Sequence, residues 1–277
     1  MKLLLTGAGG QLGTSLQDQL AGRQVVALKH EDLDITRLDA VRAAISEHQP
    51  ELVVNCAAYN SVDAAETEID AAFRGNALGP RNLAVATAAA GIPLVYVSSD
   101  YVFDGEAGRP YHEFDRPGPA SVYGSSKLAG EEAVRSLNAR HFIVRTAWVY
   151  HPSGRNFANT ILALARKGPV RVVDDQHGSP TYAPHLAEGI LRLIQAAPYG
   201  TYHLAGSGGT TWFGFAAALF RALRVDADLK AVTTEQFPRP ARRPRFAVLT
   251  TIQDPAIVLP PWQDGVAEFA DYTSPAD

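Results

Sequence analysis

Lys2-Leu3-Leu4-Leu5-Thr6-Gly7-Ala8-Gly9-Gly10-Gln11-Leu12-Gly13 decides the fold of this 277-residue chain. Lys2 to Thr6 reads as a fully buried strand, and the segment beyond the glycines carries Leu12, Leu16 and Leu20 at helical spacing. Strand, glycine turn and helix in that order predict the first βαβ unit of a parallel sheet. Gly7 permits the tight turn, Gly10 lets the backbone approach a pyrophosphate at the helix N-terminus, and Gly13 lets helix and strand pack closely. The turn is therefore read as a dinucleotide site, with Gln11 and Leu12 among its cofactor-binding residues.

Outward from the turn, Gln24 to Leu28 predicts a second strand ending at Lys29-His30. An acidic residue there would hold the ribose hydroxyls of NAD, whereas a cation accommodates the extra phosphate of NADP. Lys29 thus points to NADPH, with NADH possible. Asp34-Ile35-Thr36, of which Asp34 and Ile35 are also assigned to the cofactor, opens a helix expected to run through Glu47, with Thr36 and Asp39 at capping-box-like spacing. Leu52 to Ala58 reads as the third strand, where small residues such as Ala57 and Ala58 leave room for a cofactor against the backbone; Tyr59, which opens the polar loop that follows, is assigned to the cofactor too. Asn60 to Glu66 is a short polar loop suited to substrate or cofactor. In the next helix, closed by Gly91, Asn76 and Pro80 are locally unfavourable, and this marks Asn76 as a candidate site residue.

Ile92 to Ser99 predicts the fourth strand, delivering Ser99 at the C-terminal end, where open parallel sheets bind ligands. After a loop to about Ser121 comes Tyr123-Gly124-Ser125-Ser126-Lys127 in a helix, and His141 to Thr146 forms the fifth strand. Four residues apart, Tyr123 and Lys127 share a helix face. An ammonium about 4 Å from a phenol, at an effective dielectric of about 20, would lower the phenol pKa by at most about 3 units. That suits a proton donor to a reacting oxygen.

Composition bounds the alternatives. With 46% hydrophobic and 19% charged residues the chain is globular, and a net charge of −4 offers no general reason for a nucleic-acid or membrane partner. No apolar stretch approaches the roughly 18 residues that span a bilayer, so a cytoplasmic protein is expected. The sole cysteine, Cys56, reads as a buried structural thiol. The acidic and histidine residues between Arg109 and Asp115 have no metal-ligand spacing, and no metal site is expected.

With Gly7, Gly10, Gly13, Ser99, Tyr123 and Lys127 in this order, the first half resembles an extended short-chain dehydrogenase/reductase. Val53 to Tyr59, Val62 to Glu66, Ser99 to Gly105, Arg145 to Tyr150, Asp175 to Thr181 and Leu259 to Trp262 are similar, more narrowly, to the dTDP-4-dehydrorhamnose reductase family. The resemblance implies a Rossmann-type, doubly wound α/β sheet and NADPH-dependent reduction of a nucleotide-linked 4-keto-6-deoxyhexose. Tyr123 would be the proton donor, Lys127 would hold the nicotinamide ribose and lower the tyrosine pKa, and Ser99 would bond the same keto oxygen. Val62, Asp63, Asp100, Val102, Trp148 and Asn156 are assigned to the substrate. Some family members are magnesium-linked dimers built on glutamates; Ser15 and Gln263 stand here instead, so neither metal nor that dimer is carried over.

Beyond about Tyr150 the strand-helix alternation breaks up, with helices near Phe157 to Arg166, His185 to Ala196 and Phe213 to Leu223. The expectation is a dinucleotide-binding domain at 1–150 and a smaller, interleaved substrate-binding lid at 151–277. The basic run Arg239 to Arg245 is either a clamp for a sugar-nucleotide diphosphate, with Arg243 as its candidate contact, or a solvated loop. The expected partner is a nucleotide sugar, dTDP-linked by the resemblance, and the protein a monomer or homodimer. The alternatives are a reductase of another nucleotide ketosugar and a non-catalytic NADP-binding regulatory homologue.

Overall fold

Side chains along a strand alternate between faces, so Leu3 and Leu5 point one way and Leu4 the other, and all are buried. Both faces must then be covered, as a parallel sheet requires. The computed structural model describes residues 1–273; the last four residues of the expected second domain lie outside them. β1 (Leu3–Thr6), α1 (Gln11–Gln19), β2 (Val25–Leu28), α2 (Leu38–His48), β3 (Leu52–Asn55), α3 (Ile69–Phe73), α4 (Gly79–Ala90), β4 (Leu94–Ser99), α5 (Val122–Leu137) and β5 (His141–Thr146) build the first half. There follow β6 (Val149–Tyr150), α6 (Phe157–Ala165), β7 (Val170–Val173), β8 (His177–Gly178), β9 (Thr181–Tyr182), α7 (Ala183–Ala196), β10 (Gly200–His203), β11 (Thr210–Thr211), α8 (Trp212–Ala222), β12 (Leu229–Val232) and α9 (Trp262–Thr273).

Six strands form one parallel sheet in the order β10-β5-β4-β3-β1-β2. Leu3, Leu5, Leu52, Val54, Phe142 and Val144 pack on one face against Leu12 and Leu16 of α1 and Leu186, Ile190 and Leu193 of α7. Leu4, Val53, Leu94, Tyr96 and Ile143 pack on the other against Val41 and Ile45 of α2, Leu83 of α4 and Val134 of α5. This is the doubly wound arrangement. β1 lies between β2 and β3, so the chain reverses its direction of travel there, and the crevice at that reversal is where such sheets bind ligands. α7 and β10 come from the second half of the chain, and so the predicted boundary near 150 is crossed by sheet and helix alike. A separate apolar cluster joins Tyr150, Ile161, Val172, Phe215, Leu219, Trp262 and Phe269 beyond the sheet.

Three local expectations are corrected. The capping box at Thr36 does not form: the Asp34 carboxylate captures the Thr36 hydroxyl and amide at 2.8 and 2.9 Å, and α2 starts only at Leu38 with no side-chain cap. β3 ends at Asn55, short of Ala58, because the Asn55 side-chain oxygen takes the Ala57 amide at 3.1 Å and bends the chain out of the ladder. The fourth strand begins at Leu94, after Pro93, which has no amide to give to a ladder.

Candidate active site

The glycine turn has the geometry its sequence calls for. Gly7 has φ +69°, and a Cβ there would lie 2.5 Å from the Ala57 nitrogen; a Cβ on Gly13 would lie 2.5 Å from the Gly7 carbonyl oxygen. α1 begins at Gly10 without a side-chain cap, so its first amides are left to face the crevice. A cavity of about 680 Å³ opens there, lined by Gly7, Gly10, Ala57, Ala58 and Tyr59 and, at its far end, by Lys29, Asp34 and Ile35. Lys29 is exposed and only 4.0 Å from Glu31, a loose pairing that leaves it available to an anion. The bonds from Thr36 hold the Asp34 carboxyl below its ordinary value. A backbone cradle without Cβ atoms, uncapped helix amides and a cation at the far end fit a dinucleotide phosphate ester.

A second cavity of about 410 Å³ shares Gly10, Cys56, Ala58 and Asn60 with the first. It is lined by Gln11, Leu12, Val62, Ser99, Asp100, Tyr123, Lys127 and Trp148, bringing together the three predicted catalytic residues from two elements, β4 and α5. Helix α5 sets two of them: the Ser121 hydroxyl accepts the Gly124 amide at 3.1 Å and starts the helix just before Tyr123. The Ser99 hydroxyl, at the end of β4, donates to Asp100 Oδ1 at 2.8 Å. Asp100 is 2% exposed, its Oδ2 has no partner among the described residues, and burial pushes its carboxyl up to about 7 against the opposing Ser99 bond. Tyr101 stands edge-on to the Tyr123 ring at 5.3 Å.

The expected lowering of the Tyr123 pKa by Lys127 is absent. Burial pushes the phenol above its ordinary range, the Asp100 charge adds to this, and the Ser99 hydroxyl opposes it; Lys127 is not among the influences. The reason is where the amine is held. Lys127 Nζ donates to the Val97 carbonyl at 2.7 Å and lies 4.6 Å from the centre of the Tyr96 ring. Burial draws its pKa down to about 8, opposed first by Glu131. Glu131, one turn further along α5, is fully buried: Ser98 Oγ donates to it at 2.6 Å, and Arg145 Nε and Nη2 donate at 2.9 and 2.7 Å. Cys56, expected to be a buried structural thiol, is half-buried and lines both cavities; burial still pushes its thiol up to about 12.

Five candidates stand outside both cavities. Asn76 is fully buried in a π turn, Arg74–Leu78, that joins α3 to α4; its side chain grips both the amide and the carbonyl of Tyr59 at 2.9 Å and donates to Ser126 Oγ at 3.0 Å. It acts on the cavity wall through Tyr59. Val102 packs with Phe103, Tyr111 and Leu249 in the protein interior, and so does not face a ligand. Asn156 caps α6, accepting the Asn159 amide at 3.0 Å and donating to the His151 carbonyl at 2.7 Å. Asp63 and Arg243, both assigned to the substrate, hold each other through Oδ1 and Oδ2 at 2.7 and 3.0 Å.

Sequence reasoning missed Glu131, Arg145, Thr146 and Trp212. Trp212 stacks on Trp148 with ring centres 3.4 Å apart and planes 7° from parallel, forming one wall of the second cavity. Trp148 holds φ +46°, unusual for a bulky residue and a mark of constraint at a site. No sequence signal announces the stack, because Trp212 reads simply as a residue opening a helix.

Comparison with known proteins supplies the remaining context. Residues 1–274 match the family described as RmlD substrate binding domain. The chain is 45% identical to dTDP-4-dehydrorhamnose reductase of Streptomyces griseus, covering 96% of this chain and 91% of that protein. It is 43% identical to a probable dTDP-4,6-dihydroxy-2-methyloxan-3-one 4-ketoreductase of Streptomyces antibioticus, covering 90% and 86%. The crystal structure of dTDP-4-dehydrorhamnose reductase from Bacillus anthracis in complex with NADP superposes with a TM-score of 0.95 at 39% identity, covering 99% of this chain and all of that one.

Proposed function

The chain belongs to the dTDP-4-dehydrorhamnose reductase family, and on that premise we propose that it reduces the 4-keto group of a dTDP-linked 6-deoxyhexose with NADPH. One observation carries the reading: Ser99, Tyr123 and Lys127 line a cavity continuous with the glycine-turn cavity, so one extended dinucleotide would reach from Lys29 to Tyr123. When bound, the nicotinamide supplies the hydride. Lys29 favours the 2′-phosphate of NADPH at the adenosine end. Tyr123 directs its hydroxyl at the ketone oxygen, and Ser99, once its hydroxyl turns from Asp100, joins it in stabilising the charge that develops there. Tyr123, protonated throughout the neutral range because of its burial, gives its proton to that oxygen. Lys127, held at the cavity floor by Val97, reaches the nicotinamide ribose.

Trp148, Trp212 and Val62 form the apolar side on which the sugar lies, and Arg243 and Arg239, both tied to Asp63 next to Val62, are the candidates for its diphosphate. We place the substrate-binding unit in the cluster around Phe215 and Trp262, with α7 and β10 returning to the dinucleotide-binding half. No helix among the described residues is long and apolar enough to cross a membrane; nucleotide sugars and NADPH as reactants support a cytoplasmic reaction. The second reading, a different nucleotide ketosugar, draws on the similarity to the 4-ketoreductase of Streptomyces antibioticus. Incubation of the protein with NADPH and a panel of 4-keto and 3-keto nucleotide sugars, with products assigned by NMR, separates the two. Oxidation of NADPH by dTDP-4-dehydrorhamnose is the expected result; no oxidation by any ketosugar would return the chain to the role of a non-catalytic binder.

A further inference from the structure

At the C-terminal ends of the central strands, the hydroxyl groups are engaged. Thr6 Oγ1 donates to Asn55 Oδ1 at 2.7 Å, Ser98 to Glu131 at 2.6 Å and Ser99 to Asp100 at 2.8 Å. Thr146 ends β5 in register with Ser99, is 6% exposed, and its Oγ1 has no partner among the described residues. Gln11 Oε1, on the first turn of α1, is buried and partnerless in the same way. Buried polar atoms are nearly always paired, so these two, which line the same cavity as the partnerless Asp100 Oδ2, call for a ligand group. Both residues line the second cavity, alongside the apolar Leu12, Val97, Ala147 and Val149.

Ser99 and Tyr123 fix where the ketone oxygen sits, and hydride transfer needs the dihydropyridine ring beside that ketone. The ring therefore lies in this cavity, against its apolar residues. Its one polar substituent is a carboxamide, which offers an NH₂ donor and a carbonyl acceptor. Gln11 Oε1 can only accept, and the Thr146 hydroxyl can donate. We propose that Thr146, together with Gln11, binds the nicotinamide carboxamide and so sets which ring face meets the ketone. The proposal rests on the dinucleotide reading above. Because Gln11 stands on the helix that receives the pyrophosphate, the orphan pair belongs to the cofactor's side of the cavity; the sugar's side is Val62, Trp148 and Trp212.

The test uses near-isosteric Thr146→Val, Thr146→Ser, and two ligands: NADPH and 2′-phospho-ADP-ribose, which lacks the nicotinamide end. Thr146→Val should weaken NADPH binding about five- to tenfold, the range for one lost hydrogen bond. The fragment should bind within about twofold of wild type, and Thr146→Ser should restore NADPH affinity. Ligand-free Thr146→Val should melt at the same or a higher temperature, because valine removes an unpartnered buried hydroxyl. A merely structural hydroxyl would show the opposite sign. Unchanged NADPH affinity, equal loss for both ligands, or a lower melting temperature without ligand would overturn the proposal. Should the valine variant not fold, Thr146→Ala carries the same comparison of two ligands. A wild-type protein that binds neither ligand would refute the dinucleotide reading, and this inference with it; wild-type binding that Thr146→Val leaves intact would refute the inference alone.

Discussion

The two cavities meet at the start of α1 and are built in opposite ways. The larger is made of backbone: Gly7, Gly9 and Gly10 within four residues, an uncapped helix end, and alanines just beyond β3. The smaller is made of side chains brought from α1, β4, α5, β5 and α8, and the pairs that hold its surroundings join residues far apart in sequence. Arg145 grips Glu131 across 14 residues, Asn76 supports Ser126 across 50, and Asp63 holds Arg243 across 180. A backbone cradle tolerates most side-chain changes and fails when a Cβ is added. A side-chain site fails whenever one partner is removed, because the other is left buried and unpaired.

The sharpest break between the halves is expected from Tyr123→Phe. It should lower kcat by about 10²- to 10⁴-fold, the share of one general acid, while leaving NADPH affinity near that of wild type. Steady-state kinetics beside cofactor titration will show it, and an unaltered kcat would remove Tyr123 from its role. Glu131→Ala comes next. It strands the Arg145 guanidinium, 2% exposed, and should cost about 3–5 kcal/mol in denaturant unfolding.

Gly13→Ala probes the backbone half. Its Cβ would meet Gly7 O at 2.5 Å and Ala8 Cα at 2.8 Å, so NADPH affinity should fall, with little further loss of kcat at saturating cofactor. A loss of kcat alone would mean that the two halves are not separable in this way.

The smallest effect is a pH dependence. Burial raises the Asp100 carboxyl from 3.8 to about 7, so the folded state holds that proton more tightly than the unfolded chain. Its contribution to stability is present in full below about pH 4 and is lost as the pH rises to about 7. The stability of wild type relative to Asp100→Asn should therefore decline across that window in denaturant titrations. A constant difference would place the carboxyl in contact with water.

What was legible follows the same division. Gly7 to Gly13 and the spacing of Tyr123 and Lys127 are contiguous, and their consequences follow from helix and turn geometry alone. Ser99 was legible because a strand end is a fixed place in a parallel sheet. Even there, the expected electrostatic effect of Lys127 on Tyr123 did not appear: the amine is held on the Val97 carbonyl, and burial raises the phenol. Trp212, Thr146 and the Glu131–Arg145 pair carry no local pattern. Val102 and Asn156 show the converse: their positions in motifs suggested ligands, and packing and helix capping use them instead.

By itself, then, the sequence determined the doubly wound parallel sheet and the glycine turn, because short-range periodicity and glycine stereochemistry dictate them, and it put forward Ser99, Tyr123 and Lys127 as candidates through their order along the chain and the family resemblance. Only the tertiary structure decided the partners of Asp63, Glu131 and Trp148, which way the Lys127 amine points, and which polar atoms stay unpaired in the cavity. These depend on which distant side chains share a small, dry volume, and no spacing along the chain encodes that.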